Sequence, residues 1–132
     1  MVAGIVGLYY GGALFAAHPP FIAVQVCAVL LMIAARITFG RRSFHAAANP
    51  TAGGVVSTGP YGYVRHPIYA AAIYFTWAGA LDHWSWAHAG CAVLVTIGAF
   101  IRMVIEERML VERYPEYRAY MTRTRRVLPF VF

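Results

Sequence analysis

Four apolar runs, roughly Val2–Ala17, Pro20–Phe39, Pro67–Leu81 and Trp84–Ile105, constrain this chain more than any other feature. A helix that crosses a bilayer needs about 20 apolar residues, within a range of roughly 17–25. The second and fourth runs meet that length. The first and third reach it only if flanking residues such as Met1 and Tyr63–His66 contribute. Charged residues make up 12% of the chain, against about 25% in a typical soluble domain. The first run could also be a signal peptide, but no basic residue precedes it, and the first arginine is Arg36. The expected fold is all-α: an integral membrane protein with about four transmembrane helices and a C-terminal amphipathic helical segment.

All eleven basic residues are arginine, and they are clustered. Arg36, Arg41, Arg42 and Arg65 flank or lie in the loop between runs two and three. Arg102, Arg108, Arg113, Arg118, Arg123, Arg125 and Arg126 lie at or beyond the end of run four. The other two connections, around His18-Pro19-Pro20 and Asp82-His83, hold no arginine. Positive loops remain cytoplasmic, so the central loop, the C-terminal tail and, by parity, the N-terminus are expected on that side. A single domain follows, with an N-terminal hairpin (1–40), a cytoplasmic loop (41–66) and a second hairpin with its tail (67–132). The net charge of +6 then faces anionic lipid headgroups. Nucleic acid is a poor partner, because the arginines cap membrane helices and form no domain of their own.

Gly59-Pro60-Tyr61-Gly62-Tyr63-Val64-Arg65-His66-Pro67-Ile68-Tyr69 is unusual beside such segments. Gly59-Pro60 is turn chemistry, and Pro67 suits the first position of a helix, where its missing N–H costs nothing. The stretch reads as a polar loop turning directly into a membrane helix. Non-helical backbone at a bilayer must be buried in protein or line a wet cavity, which marks it as a candidate binding site. Upstream, Asn49-Pro50 signals a turn, and Gly53-Gly54 would allow backbone to approach a ligand or merely form a linker.

A second constellation closes run four. Arg102 and Glu106 stand four residues apart and share a helix face, with Glu107 beside them. An ionisable residue at membrane depth suggests function, although Arg102 could instead snorkel in an intrahelical pair. Arg108–Arg113 continues the helix, Pro115 interrupts it, and Glu116–Met121 can restart a short one. Tyr114, Tyr117 and Tyr120 recur every third residue and read as an interfacial aromatic anchor. Cys27 and Cys91 read as buried, free, small apolar residues that could approach one another. No metal-ligand spacing, Walker motif or GxGxxG occurs, so no metal is expected.

The pairing of Gly59-Pro60-Tyr61-x-x-x-Arg65-His66-Pro67-x-Tyr69 with Glu106-Glu107-x-x-Leu110 resembles the isoprenylcysteine carboxyl methyltransferase family. The wider clan also holds membrane phospholipid methyltransferases. The tail Tyr114-x-x-Tyr117-x-x-Tyr120, followed by an arginine-rich turn and Leu128-Pro129-Phe130, is similar too. The resemblance covers roughly Val55 to Phe130. It implies a membrane enzyme that uses S-adenosylmethionine, bound at the cytoplasmic face between the loop before the His-Pro helix and the end of the last long helix. By motif position, Val55, Val56, Tyr61, His66, Pro67, Ile68 and Tyr69 would contact the cofactor, and Glu106 would meet its ammonium group. Arg102 would hold a substrate carboxylate. Where eukaryotic members have a glutamine before the motif, this chain has His45-Ala46. A bacterial or archaeal inner membrane is the expected location.

The chemistry of these residues suits the implied roles. An anionic Glu106 matches an ammonium, and the cofactor supplies the activated carbon, leaving the protein to position and to manage charge. A carboxylate acceptor is already ionised near neutral pH, so it needs no base, and Arg102 could grip it at two points. An amine acceptor, such as a phosphatidylethanolamine headgroup, must lose a proton, and Glu107 or His66 is then the candidate base. The favoured activity is O-methylation of a lipophilic, prenylcysteine-like acid, with phospholipid or amine N-methylation as the alternative. A membrane reductase with a similar C-terminal region normally has more spans than this chain can hold. A non-enzymatic transporter subunit or scaffold would leave the residue density around Gly59 unexplained.

Overall fold

A computed structural model describes residues 1–40 and 55–128, and the Asn49-Pro50 turn, His45-Ala46, Gly53-Gly54, and residues 129–132 lie outside that range. The described residues form five α-helices and no strand: α1 Val2–Tyr10, α2 Pro19–Phe39, α3 Pro67–Asp82, α4 Trp86–Arg113 and α5 Tyr117–Arg123. A 3-10 turn, Gly59–Gly62, precedes α3.

Local signals explain the boundaries. Prolines occupy the first turns of α2 and α3, after the extended N-cap residue His18 and the N-cap residue His66. Ser85 Oγ caps α4 by accepting from the His88 amide at 3.0 Å. α4 stops at Tyr114, the residue before Pro115, where helical backbone is disfavoured.

Two helices, α2 and α4, are long and apolar enough to cross a membrane. Only 17% and 22% of their most apolar windows are buried, so their apolar faces point outward, as suits helices solvated by lipid. At about 1.5 Å per residue the 28 residues of α4 span roughly 42 Å, longer than a hydrocarbon core of about 30 Å.

The short runs behave differently from expectation. α1 has nine residues, about 13.5 Å, and covers less than half of the core thickness. Gly11 closes it, and Gly12 takes φ +69, a conformation that continues no helix. α3 has 16 residues, and Tyr63–His66 do not lengthen it because they pair with the C-terminal segment instead.

α1 runs antiparallel against α4 through glycines. A Cβ on Gly11 would meet His88, one on Gly4 would meet the Cys91 carbonyl, and one on Gly98 would meet Met1. Met1 therefore lies partway along α4, level with Gly98, and not at the arginine-bearing end. The irregular link from α1 to α2 is satisfied by protein. Gln25 accepts from the Ala16 amide at 3.0 Å and donates to the Leu14 and Phe75 carbonyls at 2.8 and 3.1 Å. Asp82 accepts from the Ala17 and His18 amides and sits 2.6 Å from His18 Nδ1, tying the end of α3 to the start of α2.

Cys27 and Cys91 are both free. Cys91 packs toward Gly7, whereas Cys27 is exposed on the outward face of α2 and is not the buried residue expected. Exposed Tyr9, Tyr10, Phe15, Trp84 and Trp86 gather at the end bearing the His18–Asp82 contact, as an interfacial aromatic belt does.

Candidate active site

The polar residues converge at the opposite end, where the 3-10 turn, the start of α3, the last turns of α4 and the C-terminal segment meet. That segment, absent from any local pattern, docks beside the motif in parallel. Arg65 and His66 donate their amides to the Arg125 and Arg126 carbonyls at 2.6 and 3.0 Å, and the Arg125 amide donates to the Tyr63 carbonyl at 3.2 Å.

Glu107 is the centre of this junction. Its side chain is 5% exposed. Oε1 accepts from Arg65 Nε at 2.8 Å and lies 3.2 Å from His66 Nε2. Oε2 accepts from Arg126 Nε and Nη2 at 3.1 and 2.9 Å. Arg65 also donates through Nη1 to the Met121 and Thr124 carbonyls. Arg126 lies over the Phe100 ring, 5.6 Å from its centroid. Three segments far apart in sequence thus meet on one carboxylate.

Glu106, one residue earlier, points differently. Its side chain is 23% exposed, Oε1 accepts from the Tyr69 hydroxyl, and Oε2 lies 3.7 Å from His66 Nδ1, beyond hydrogen-bond range. Arg102, exposed and one turn earlier on α4, interacts with the Tyr69 hydroxyl. The His66 and Tyr69 rings stand 5.8 Å apart.

The structure therefore gathers Tyr61, His66, Pro67, Ile68, Tyr69, Arg102, Glu106 and Glu107 around one junction. His66 and Pro67 are buried, and Ile68 is half-buried. Val55 and Val56 are half-buried and lead into the 3-10 turn. The tyrosine series departs from its reading as a lipid anchor. Pro115 breaks the helix, so α5 turns back and Tyr117 is buried. Tyr120 donates to the Tyr61 carbonyl at 2.6 Å and lies 5.4 Å from the Tyr117 ring. Burial holds the Tyr61 and Tyr117 hydroxyls well above the usual phenol range and pushes Tyr120 up to about 12. These hydroxyls remain protonated at any physiological pH.

Arg65 stood in the motif with no role of its own, while Arg126, Thr124 and the inward placement of Tyr117 and Tyr120 escaped the sequence reading of the site. Arg126 belonged to a cluster whose evident signal was topology. No periodicity links it to Glu107, 19 residues away.

What the junction offers chemically is one half-exposed carboxylate beside an arginine, with a second carboxylate neutralised behind it. Among the described residues Glu106 Oε2 accepts no hydrogen bond, so the residues present fit an ammonium-bearing ligand such as S-adenosylmethionine. The family model described as phospholipid methyltransferase matches residues 38–117, more than half of the chain, from the end of α2 to the start of α5. A comparison with curated proteins finds no match.

Proposed function

This chain belongs to the phospholipid methyltransferase family, a membership that implies methyltransferase activity, and on that premise we propose an S-adenosylmethionine-dependent enzyme acting on a lipid at the cytoplasmic face. The single observation that carries this reading is Glu106: a carboxylate that, among the described residues, accepts from the Tyr69 hydroxyl on Oε1 and from no hydrogen-bond donor on Oε2, between the Arg-His-Pro motif and Arg102. When bound, the cofactor would supply the activated methyl group. Glu106 would hold its ammonium, with Tyr61, His66, Pro67, Ile68, Tyr69, Val55 and Val56 lining the pocket.

Arg102 would orient an anionic group of the acceptor. In a phospholipid that group is the headgroup phosphate and the nucleophile is the amine. In the second reading, favoured by the same arginine, the group is a carboxylate that is itself methylated. Methyl transfer to phosphatidylethanolamine vesicles and to a prenylcysteine, measured side by side, separates the two.

Glu106→Ala should weaken S-adenosylmethionine binding by roughly ten- to a hundred-fold, because a charge-assisted contact contributes on the order of 1.5–3 kcal/mol. Isothermal titration on detergent-purified protein checks this. Unchanged affinity removes Glu106 from the cofactor site, and no binding by the parent protein removes the cofactor assignment.

The four apolar segments would form one bundle, with α1 as a short segment in the half away from the site. Residues 40–66 and the C-terminal segment would face the cytoplasm, because the arginines lie there and the aromatic belt lies opposite. Single cysteines at Ser57 and Trp84, in a protein lacking Cys27 and Cys91, provide the check. An impermeant reagent added outside intact cells should label position 84 and spare position 57. Labelling of 57 from outside inverts the topology.

A further inference from the structure

The two carboxylates meet opposite edges of the same imidazole. His66 Nε2 lies 3.2 Å from Glu107 Oε1, and His66 Nδ1 lies 3.7 Å from Glu106 Oε2. An ionised carboxylate only accepts, so the Nε2–Glu107 contact requires the proton on Nε2. Which ring nitrogen carries the proton is set by the hydrogen bond the other atom makes. In the neutral ring, Nδ1 is then left with a lone pair on the side of the ring that faces Glu106.

We propose that Glu107 is a positioning residue that holds His66 as the Nε2–H tautomer, and that His66 Nδ1 is the proton acceptor for an amine-bearing methyl acceptor. The proposal deepens the methyltransferase reading and rests on it. Glu107 itself is poorly arranged to take a proton, since Arg65, Arg126 and His66 occupy both of its oxygens. An imidazolium at His66 would instead be stabilised by it, as a buried carboxylate stabilises a histidine acting as a base.

The step balances. His66 Nδ1 takes one proton from the acceptor's ammonium group. The freed nitrogen lone pair forms the new N–CH3 bond while the CH3–S bond of the sulfonium donor breaks, its electron pair remaining on sulfur. The positive charge of the sulfonium passes to the methylated amine, and His66 carries the released proton until it leaves for solvent. The charged and titratable groups around the ring are Glu106, Glu107 and Arg102 from α4, Arg65 and Tyr69 from the motif, Tyr117 from α5 and Arg126 from the C-terminal segment.

The first measurement needs neither cofactor nor turnover. Imidazole nitrogen shifts of His66 in cofactor-free, isotope-labelled protein, at mildly alkaline pH, should show Nε2 protonated and Nδ1 bare. A ring protonated on Nδ1, alone or together with Nε2, overturns the proposal. Glu107→Leu, which offers Nε2–H no acceptor, should erase the tautomer preference, and a variant that keeps it overturns the positioning role. If that variant does not fold, the parent spectrum and His66→Gln still decide.

The glutamine amide in His66→Gln can donate to Glu107 as Nε2–H does but cannot accept a proton at the Nδ1 position. At saturating S-adenosylmethionine, turnover on phosphatidylethanolamine vesicles should fall on the order of 10²–10⁴-fold, a loss well beyond whatever cofactor affinity is lost with a residue that also lines the cofactor pocket. Turnover equal to the parent overturns the proton-acceptor role, and so does a loss matched by an equal loss of cofactor affinity. Absence of cofactor binding in the parent protein would instead defeat the methyltransferase reading, leaving the tautomer result to stand alone.

Discussion

Glu107→Ala is expected to cost about 3–5 kcal/mol of stability. The deleted carboxylate would leave Arg65, 9% exposed in its side chain, and Arg126, 27% exposed, without the anion they share. Removing one partner of a buried ion pair is far more damaging than replacing the whole pair, because the remaining charge keeps its desolvation cost and loses its compensation. Arg65 retains the Met121 and Thr124 carbonyls, and Arg126 has partial access to solvent, so the loss should lie near the low end of that range. The damage should be local first. Segment 124–128 is fastened to residues 63–66 by three backbone hydrogen bonds and by this carboxylate, so its amides should exchange faster while α2 stays protected. Thermal unfolding in detergent and hydrogen exchange measure both effects. An unchanged midpoint with unchanged exchange at Arg125 and Arg126 would falsify the view of Glu107 as the fastening point.

Arg102→Lys should lower turnover on the order of a hundred-fold while leaving cofactor affinity near the parent value. Lysine keeps the charge but loses the planar, two-point grip that fixes a carboxylate or phosphate in one orientation. A misplacement of about 1 Å at the nucleophile can cost on the order of 10²-fold in rate. The position of Arg102, one turn before Glu106 and beside the Tyr69 hydroxyl, puts it at the acceptor side of the junction on this reading. Methyl-transfer rate at saturating cofactor, set against the cofactor dissociation constant of the same variant, decides the matter. Equal losses in both would move Arg102 into the cofactor pocket. No loss in either would make it a residue that snorkels to the interface.

Sequence alone determined the all-helical class, the ends of α2, α3 and α4, the break at Pro115 and the two motifs that meet at the site. These depend on local rules: apolar run length, proline at a first helical turn and charge placement at span ends. Tertiary structure alone decided how far α1 extends, because Gly11 and Gly12 end a run whose apolar composition continues to Ala17. It also turned Tyr117 and Tyr120 inward, where the interfacial-anchor reading had placed them toward lipid. The Arg65–Glu107–Arg126 junction was equally hidden, since its partners are separated by 42 and 19 residues. Hydrogen-bond and charge pairing at such separations leaves no periodic trace in a chain. It exists only once α4, the loop and the C-terminal segment have been packed together, and packing is what separates the roles of two adjacent glutamates.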